Sequence, residues 1–242
     1  MRSTSPACRF MAAPRSAMRA FSAPLVVPLT VTAALTVALA GCASPPPEHF
    51  YSLSSGLPFA QRTVSGTGTA IATDNAANNA HDNAVTAAPY YIEVLAPSVP
   101  PQVARSQLVV TTGAGRIDLL EQERWAAPLA AELGQALSLA LTARLGAIDV
   151  FRTPTPEHAA IYRISTSVQR FESAPGQYAL LDVVWSVRLA GSPKVLTCRS
   201  ELKEQVAPGY DALVDGHRRA VGRLADSVGA AVQRLAGGGA GC

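Results

Sequence analysis

The sequence predicts an α/β fold of the α+β type, with a mixed, largely antiparallel sheet and two long helices packed on one face. A signal peptide and a disordered tether precede this fold. Residues 123–145 and 210–235 each carry a single apolar stripe with helical spacing. Residues 161–171, 178–190 and 194–204 alternate apolar and polar side chains, and their short connections require antiparallel pairing. Helices with one apolar stripe cover one face of a sheet.

Strand signals precede and follow the first predicted helix. The predicted strands occupy residues 90–95, 107–111, 116–120, 148–152, 161–171, 178–190 and 194–204. Prolines close several of them, and Gly113 and Gly115 predict a hairpin turn between the second and third. In the sixth, Leu181 and Val183 alternate with Asp182, which is expected on the opposite face.

Both predicted helices have recognisable ends. In the first, leucines recur four apart from Leu129 to Leu145, Pro128 lies near the first turn, and Gly146 ends the helix. In the second, His217 lies on or beside the apolar stripe, which favours a packing histidine over a ligand. Residues 237–242 are predicted to be a flexible tail.

The N-terminal region is typical of an export signal. Arg15 and Arg19 precede an apolar run over residues 24–40, which ends in Leu39-Ala40-Gly41-Cys42. This ending resembles the lipobox of bacterial lipoproteins, in which the peptide is cut before the cysteine and the cysteine is acylated. The alternative is an uncleaved anchor helix, for which the run is of marginal length. Met18 offers a better-proportioned start than Met1.

Charge excludes one class of partner. The first 41 residues hold four of the 20 basic residues and none of the 17 acidic ones, so the remainder carries a formal charge of −1. A nucleic-acid-binding surface needs a basic folded part. We therefore expect no nucleic-acid partner.

The chain divides into four predicted segments. They are a signal peptide at 1–41, a lipidated Cys42 with a Pro-rich tether and disordered linker at 42–89, a folded domain at 90–236, and the tail at 237–242. A flexible chain from Cys42 to Tyr90 reaches about 35–40 Å on average. Residue Ala43, rather than an aspartate, points to the outer membrane by resemblance to known lipoprotein sorting.

No catalytic or metal-binding motif is recognisable. His49, His81, His158 and His217 are scattered, and the cysteines have no metal-ligand spacing. Cys198 is expected to be a buried thiol rather than a reactive one. Terminal Cys242 leaves open a disulfide between chains. No cofactor is expected apart from the covalent N-acyl diacylglyceryl lipid on Cys42.

The charged segment from Glu121 to Trp125 has two interpretations. A charged segment with an indole is typical of a partner-binding surface. Alternatively, the acids lie at the positive end of the first helix and Trp125 packs on the sheet, and this interpretation is favoured.

Taken in order, the motifs resemble those of the ABC-type transport auxiliary lipoproteins, the PqiC/YmbA group. They are the lipobox, Phe50-Tyr51-x-Leu53, Ile92-x-Val94, Arg105-Ser-Gln107-Leu-Val109, Arg124-Trp125-Ala126-x-Pro128-Leu129, Tyr162-x-Ile164, Val168-x-Arg170-Phe171-Glu172 and Tyr210-x-Ala212-Leu213-Val214. Two departures stand out. Residues 54–88 look like an insertion, and the segment around Val103 lacks the family's Tyr-Leu-Asp.

The resemblance implies a non-enzymatic outer-membrane lipoprotein on the periplasmic side. Its implied partner is the MCE-domain protein of an ABC-type lipid transporter, which it would dock, and a homo-oligomer is possible. The partner-binding residues implied are Arg105, Arg124, Trp125 and Arg170. Two alternatives stay open, a periplasmic lipid-binding module and an activator lipoprotein of a cell-wall synthase.

Overall fold

The computed structural model describes residues 46–56, 88–113 and 115–242. The elements within these ranges follow one another in chain order. They are β1 (His49–Tyr51), β2 (Tyr91–Val94), β3 (Gln107–Gly113), β4 (Arg116–Trp125), α1 (Leu129–Leu145), β5 (Ile161–Ala174), β6 (Tyr178–Leu189), β7 (Leu196–Gln205) and α2 (Tyr210–Ala236). The predicted α+β class, with mostly antiparallel strands and two helices, is confirmed.

The strands form two sheets instead of the single sheet that the sequence predicted. The larger has the order β2-β5-β6-β7, with β2 parallel to β5 and the other pairs antiparallel. The smaller has the order β1-β4-β3, in which β1 runs parallel to β4 and β3 pairs antiparallel with β4. The β3–β4 hairpin therefore belongs to a separate sheet.

Two predicted boundaries are wrong for identifiable reasons. Residues 123–125 extend β4 instead of starting a helix, and α1 begins at Leu129 behind Pro128. The residue before a proline is driven out of the helical region, so the helix cannot begin earlier. The predicted strand at 148–152 is reduced to one bridge between Ile92 and Asp149, because the Asp149 carboxylate accepts bonds from the Val94 and Phe151 amides.

The core lies between the two helices and the larger sheet. In α1 the leucine stripe is buried as predicted, and Gly146 ends the helix with φ of 62°. In α2 the predicted stripe is buried too, from Leu213 to Val232. Inward-facing Val183, Trp185 and Val187 of β6 complete this core.

Asp182 departs from the expected alternation. Its neighbours Leu181 and Val183 face the core as predicted, but Asp182 is also fully buried. Two hydrogen bonds from the Arg199 guanidinium, at 2.9 and 2.6 Å, hold its carboxylate. They keep the pKa of Asp182 below its usual value despite the opposing effect of burial.

The cysteines near the C-terminus form a disulfide within the chain, so the expected free thiol at Cys198 and the interchain bond at Cys242 are both wrong. Cys198 is buried as predicted, and its Cα lies 5.9 Å from that of Cys242. The bond attaches the far end of the tail to β7. The spacing of the cysteines could not reveal this pairing.

The folded part begins earlier than predicted. Residues 49–51, which were assigned to the tether, form β1, and Leu53 is fully buried in the core. The predicted signal peptide, Cys42 and the linker segment 57–87 lie outside the described residues. No helix among the residues the structure describes is long and apolar enough to span a membrane.

Candidate functional site

A groove of about 560 Å³ opens between the β3–β4 hairpin and the turn that joins β5 to β6. We call it the hairpin groove. Its walls are Val103, Val109 and Ile117 on one side, and Arg170, Glu172 and Tyr178 on the other. The first set of residues forms a mostly apolar wall and the second a mostly polar wall, and protein interfaces also combine apolar and polar surface.

The polar wall is held in place by its own hydrogen bonds. Arg170 bonds Glu172 at 2.8 Å, and Tyr178 donates to the second oxygen of Glu172 at 3.1 Å. The Glu172 carboxylate raises the pKa of Arg170, while burial and the same carboxylate raise the pKa of Tyr178. Lys203 lies 4.0 Å from the centre of the Tyr178 ring. The Arg170 side chain is half-exposed, and its bond to Glu172 fixes its orientation.

The apolar wall continues onto a free strand edge. Because β1 pairs only with residues 123–125, the rest of β4 has β3 as its one paired neighbour among the described strands. Ile117 and Leu119 on this stretch are 49% and 44% exposed. An unpaired edge with apolar side chains is suited to binding an extended segment of another chain.

The four predicted partner-binding residues lie near one another but in different surroundings. The Trp125 amide donates to the carbonyl of Ser106, next to Arg105, at 2.6 Å, and the Trp125 ring packs on Phe171, next to Arg170. Arg170 lines the hairpin groove. Arg124 is instead paired with Glu48 at 3.3 Å and donates to the Glu121 carbonyl at 3.0 Å. Arg105 is partly buried, and its Nε has no hydrogen-bond partner among the described residues.

Trp125 is a core residue, so its prediction as a direct partner contact is corrected. The indole is only 3% exposed. Its ring packs edge-on against Phe171, with centroids 6.1 Å apart, and against His217 at 6.4 Å. The alternative interpretation, in which Trp125 packs inside the fold, fits these contacts, although the residue lies at the end of β4 and not in a helix.

His217 is a packing histidine, as the sequence suggested. Its ring stacks on Phe171 with centroids 4.0 Å apart, and Nε2 shares a hydrogen bond of 2.8 Å with the Ser173 hydroxyl. Burial lowers the pKa of His217 to about 3. The ring is therefore neutral in the folded protein at physiological pH.

A second polar cluster, which was not predicted from the sequence, fixes β1 to the domain. We call it the β1 clasp. Glu123 accepts bonds from the Tyr51 hydroxyl at 2.6 Å and from His49 at 2.9 Å. Buried Glu132 on α1 accepts from the Ser52 hydroxyl and the Leu53 amide, both at 2.8 Å.

Arg218 on α2 completes the β1 clasp. Its guanidinium donates two bonds to the Ser52 carbonyl, at 3.1 and 2.7 Å. Burial alone would raise the pKa of Glu123, but the hydrogen bonds from Tyr51 and His49 outweigh this effect and keep the pKa below its usual value. The only sequence signal was the Tyr51-x-Leu53 patch, because its partners lie on distant elements.

The described residues offer little support for a lipid-binding cavity or for a metal site. The apolar cavity between the helices and the larger sheet, lined by Leu133, Leu137 and Val183, measures about 10 Å³. A cavity of this size holds at most about one water molecule, so it is far too small for an acyl chain. Within residues 46–56, 88–113 and 115–242, no group of His, Cys, Asp and Glu is arranged to hold a metal ion.

Comparison with a solved structure supports the fold. A crystal structure of an uncharacterized protein has a TM-score of 0.52 at 16% identity, over 61% of this chain and 95% of that one. A protein from Xanthomonas campestris has a TM-score of 0.48 at 16% identity, over 61% and 85% of the two chains. A search of the curated proteins found no match.

A family model covers most of the folded part. The model of the ABC-type transport auxiliary lipoprotein component matches residues 73–229, which include β2 and the greater part of α2. Both walls of the hairpin groove fall inside this match. The chain belongs to the family of ABC-type transport auxiliary lipoprotein components.

Proposed function

We propose that this protein is an outer-membrane lipoprotein that serves as a non-catalytic auxiliary component of an MCE-type ABC lipid transport system in the periplasm. The observation that carries the proposal is the family match over residues 73–229. The lipobox-like Leu39-Ala40-Gly41-Cys42 supports an acylated N-terminus. Ala43 supports the outer membrane as its destination.

In this proposal the hairpin groove receives the MCE-domain protein of the transporter. Arg170 offers a half-exposed guanidinium that Glu172 holds in place, and Ile117 and Leu119 offer exposed apolar surface beside an unpaired strand edge. Such a site suits an extended or helical segment that carries both an acidic and an apolar side chain. The bound segment would exclude water from the apolar wall, which favours association.

A non-catalytic role is consistent with the chemistry of the groove. Glu172 is already bonded to both Arg170 and Tyr178, and the buried His217 stacks beneath Phe171. General acid–base chemistry needs a titratable group poised near the working pH and open to a substrate. The raised pKa of Tyr178 and the lowered pKa of His217 move both groups away from that range.

The test is affinity purification of the full-length lipidated protein from crosslinked cells, followed by mass spectrometry. We expect an MCE-domain protein together with its permease and ATPase. The charge reversal Arg170→Glu should reduce recovery of these partners. Arg188→Glu, on an exposed β6 residue outside the groove, is the matched control and should not. Recovery of a cell-wall synthase instead would contradict the transport proposal.

A further inference from the structure

The β1 clasp leaves little chain between the domain and the lipidated cysteine. Cys42 lies seven residues before His49, the first residue of β1. At about 3.3–3.6 Å per residue, this segment spans at most about 25 Å. The long segment 57–87 follows β1, so it does not add to the distance between the anchor and the domain.

The clasp is strong enough to define where the chain enters the domain. Leu53 is fully buried, and its amide and the Ser52 hydroxyl share the buried Glu132 carboxylate. The Ala126 amide donates to the Tyr51 carbonyl at 2.7 Å, which continues the pairing of β1 with β4. Releasing β1 would leave Glu132 buried without these partners, which is costly.

The connection is shorter than the domain is wide, so it limits how the domain can be oriented on the membrane. A folded unit of about 150 residues has a radius of gyration of about 15 Å, and so a diameter of about 38 Å. A connection of about 25 Å cannot reach a membrane on the far side of such a domain. The side that carries β1 therefore cannot point away from the membrane.

The surface beside β1 has a side chain suited to that position. Phe50 is 62% exposed, although a large aromatic side chain usually packs inside a domain. It borders an open recess formed with Glu48, Ser55, Tyr210 and Asp211. Phe, like Trp and Leu, is common on the apolar face of protein segments that lie in the membrane interface.

We propose that the β1 face, centred on Phe50, rests on the phospholipid surface to which Cys42 is anchored, and that segment 57–87 is an insertion and not the tether. This inference rests on the proposed acylation of Cys42. The sequence predicted an average distance of about 35–40 Å between the lipid anchor and the folded domain, whereas here the domain contacts the membrane directly. The described folded unit is then held close to its membrane with the β1 face toward the lipid.

The test places a fluorophore on the β1 face of the mature, lipidated protein. Phe50→Cys is labelled with an environment-sensitive dye, and Val195→Cys, also exposed, is the control. Val195 lies in the β6–β7 turn, about 30 Å along β7 from the end that leads to α2. Without reductant the Cys198–Cys242 disulfide and the acylated Cys42 do not react with the dye.

Both proteins are reconstituted in vesicles of phosphatidylethanolamine and phosphatidylglycerol with acyl chains brominated near the headgroups. We expect the dye at position 50 to be blue-shifted and quenched several-fold more than the dye at position 195. Equal, weak quenching at both positions on lipidated protein would overturn the inference. Mass spectrometry of the N-terminal peptide separates this result from a failure of acylation, which would overturn the proposed anchor as well.

Two insertions test which segment sets the distance. A flexible Gly-Ser segment of about 20 residues adds about 25 Å of average reach. Placed between Ser44 and Pro45, it should abolish the preferential quenching at position 50. The same insertion between Gly66 and Thr67 should leave the quenching unchanged. The opposite pattern would show that segment 57–87 is the tether.

Discussion

His217 makes the stability of the fold depend on pH. The neutral ring stacks on Phe171 and bonds Ser173, and burial lowers the pKa of His217 to about 3. In the unfolded chain the same ring titrates near pH 6.5. Between these values the unfolded state binds a proton that the folded state does not, so stability is complete above about pH 6.5 and falls as the pH drops.

We predict that the free energy of unfolding decreases by up to about 1.4 kcal/mol per pH unit between pH 6 and pH 4. Urea denaturation at several pH values measures this slope. His217→Gln keeps a hydrogen-bonding group near Ser173 but cannot titrate in this range, so its slope should be much shallower. Equal slopes in the two proteins would show that other groups cause the pH dependence.

The alternation of apolar and polar residues correctly predicted the side chains that contact only the core. Leu181, Val183 and Cys198 face the core as their positions indicated. Asp182 does not follow the rule, because its burial depends on Arg199 of the neighbouring strand. That contact is set by the register between β6 and β7, which the sequence of either strand does not reveal.

At the scale of single elements, α2 contains two glycines in opposite surroundings. A methyl group at Gly216 would collide with Val206 and come within 3.0 Å of Ala179, whereas one at Gly222 would meet nothing within 4 Å. Glycine is a poor helix former, so it persists at a packed position only where space requires it. The two sites are therefore matched tests of how closely α2 approaches the larger sheet.

We predict that Gly222→Ala raises the free energy of unfolding by about 0.5–1 kcal/mol, because alanine favours the helix. Gly216→Ala should lower it by about 1–3 kcal/mol, because the added methyl overpacks the contact with Val206. Urea denaturation of both variants checks these values. A stabilising Gly216→Ala would mean that α2 lies farther from Val206 than the structure shows.

Element prediction succeeded for long periodic segments and failed for short ones. The helix stripes and β5, β6 and β7 have enough repeats to define a period. Strand β1 has three residues, and each pairs with a residue of β4 that lies 74 positions later, as His49 does with Glu123. Nothing local distinguishes it from a tether, so β1 and the clasp around it required the three-dimensional structure.

At the scale of the whole molecule, the Cys198–Cys242 disulfide closes a loop that contains α2. Such a crosslink restricts the unfolded chain and typically contributes about 2–4 kcal/mol. We predict a loss of that size in the double variant Cys198→Ala, Cys242→Ala, measured by urea denaturation. Reductant should destabilise the wild-type protein to a similar extent and leave the variant unchanged. Insensitivity of the wild-type protein to reductant would contradict this role.

The candidate site could be predicted only in part, because elements that are distant in the sequence form it together. Arg170 was found through its family motif and does line the hairpin groove. The groove itself joins β3, β4, β5 and the turn before β6, so its shape arises from the packing of two sheets. Ile117 and Leu119 were not predicted to be exposed binding residues, because their sequence pattern is that of an ordinary strand.

The most direct test of the proposed function is site-specific photocrosslinking in living cells from the hairpin groove. A photoreactive amino acid replaces Ile117 in the full-length protein, and the same replacement at Val195 in the β6–β7 turn serves as the control. We predict that the probe at position 117 crosslinks to an MCE-domain protein and that the probe at position 195 does not. Crosslinking at position 117 to a cell-wall synthase alone, or equal crosslinking at both positions, would contradict it.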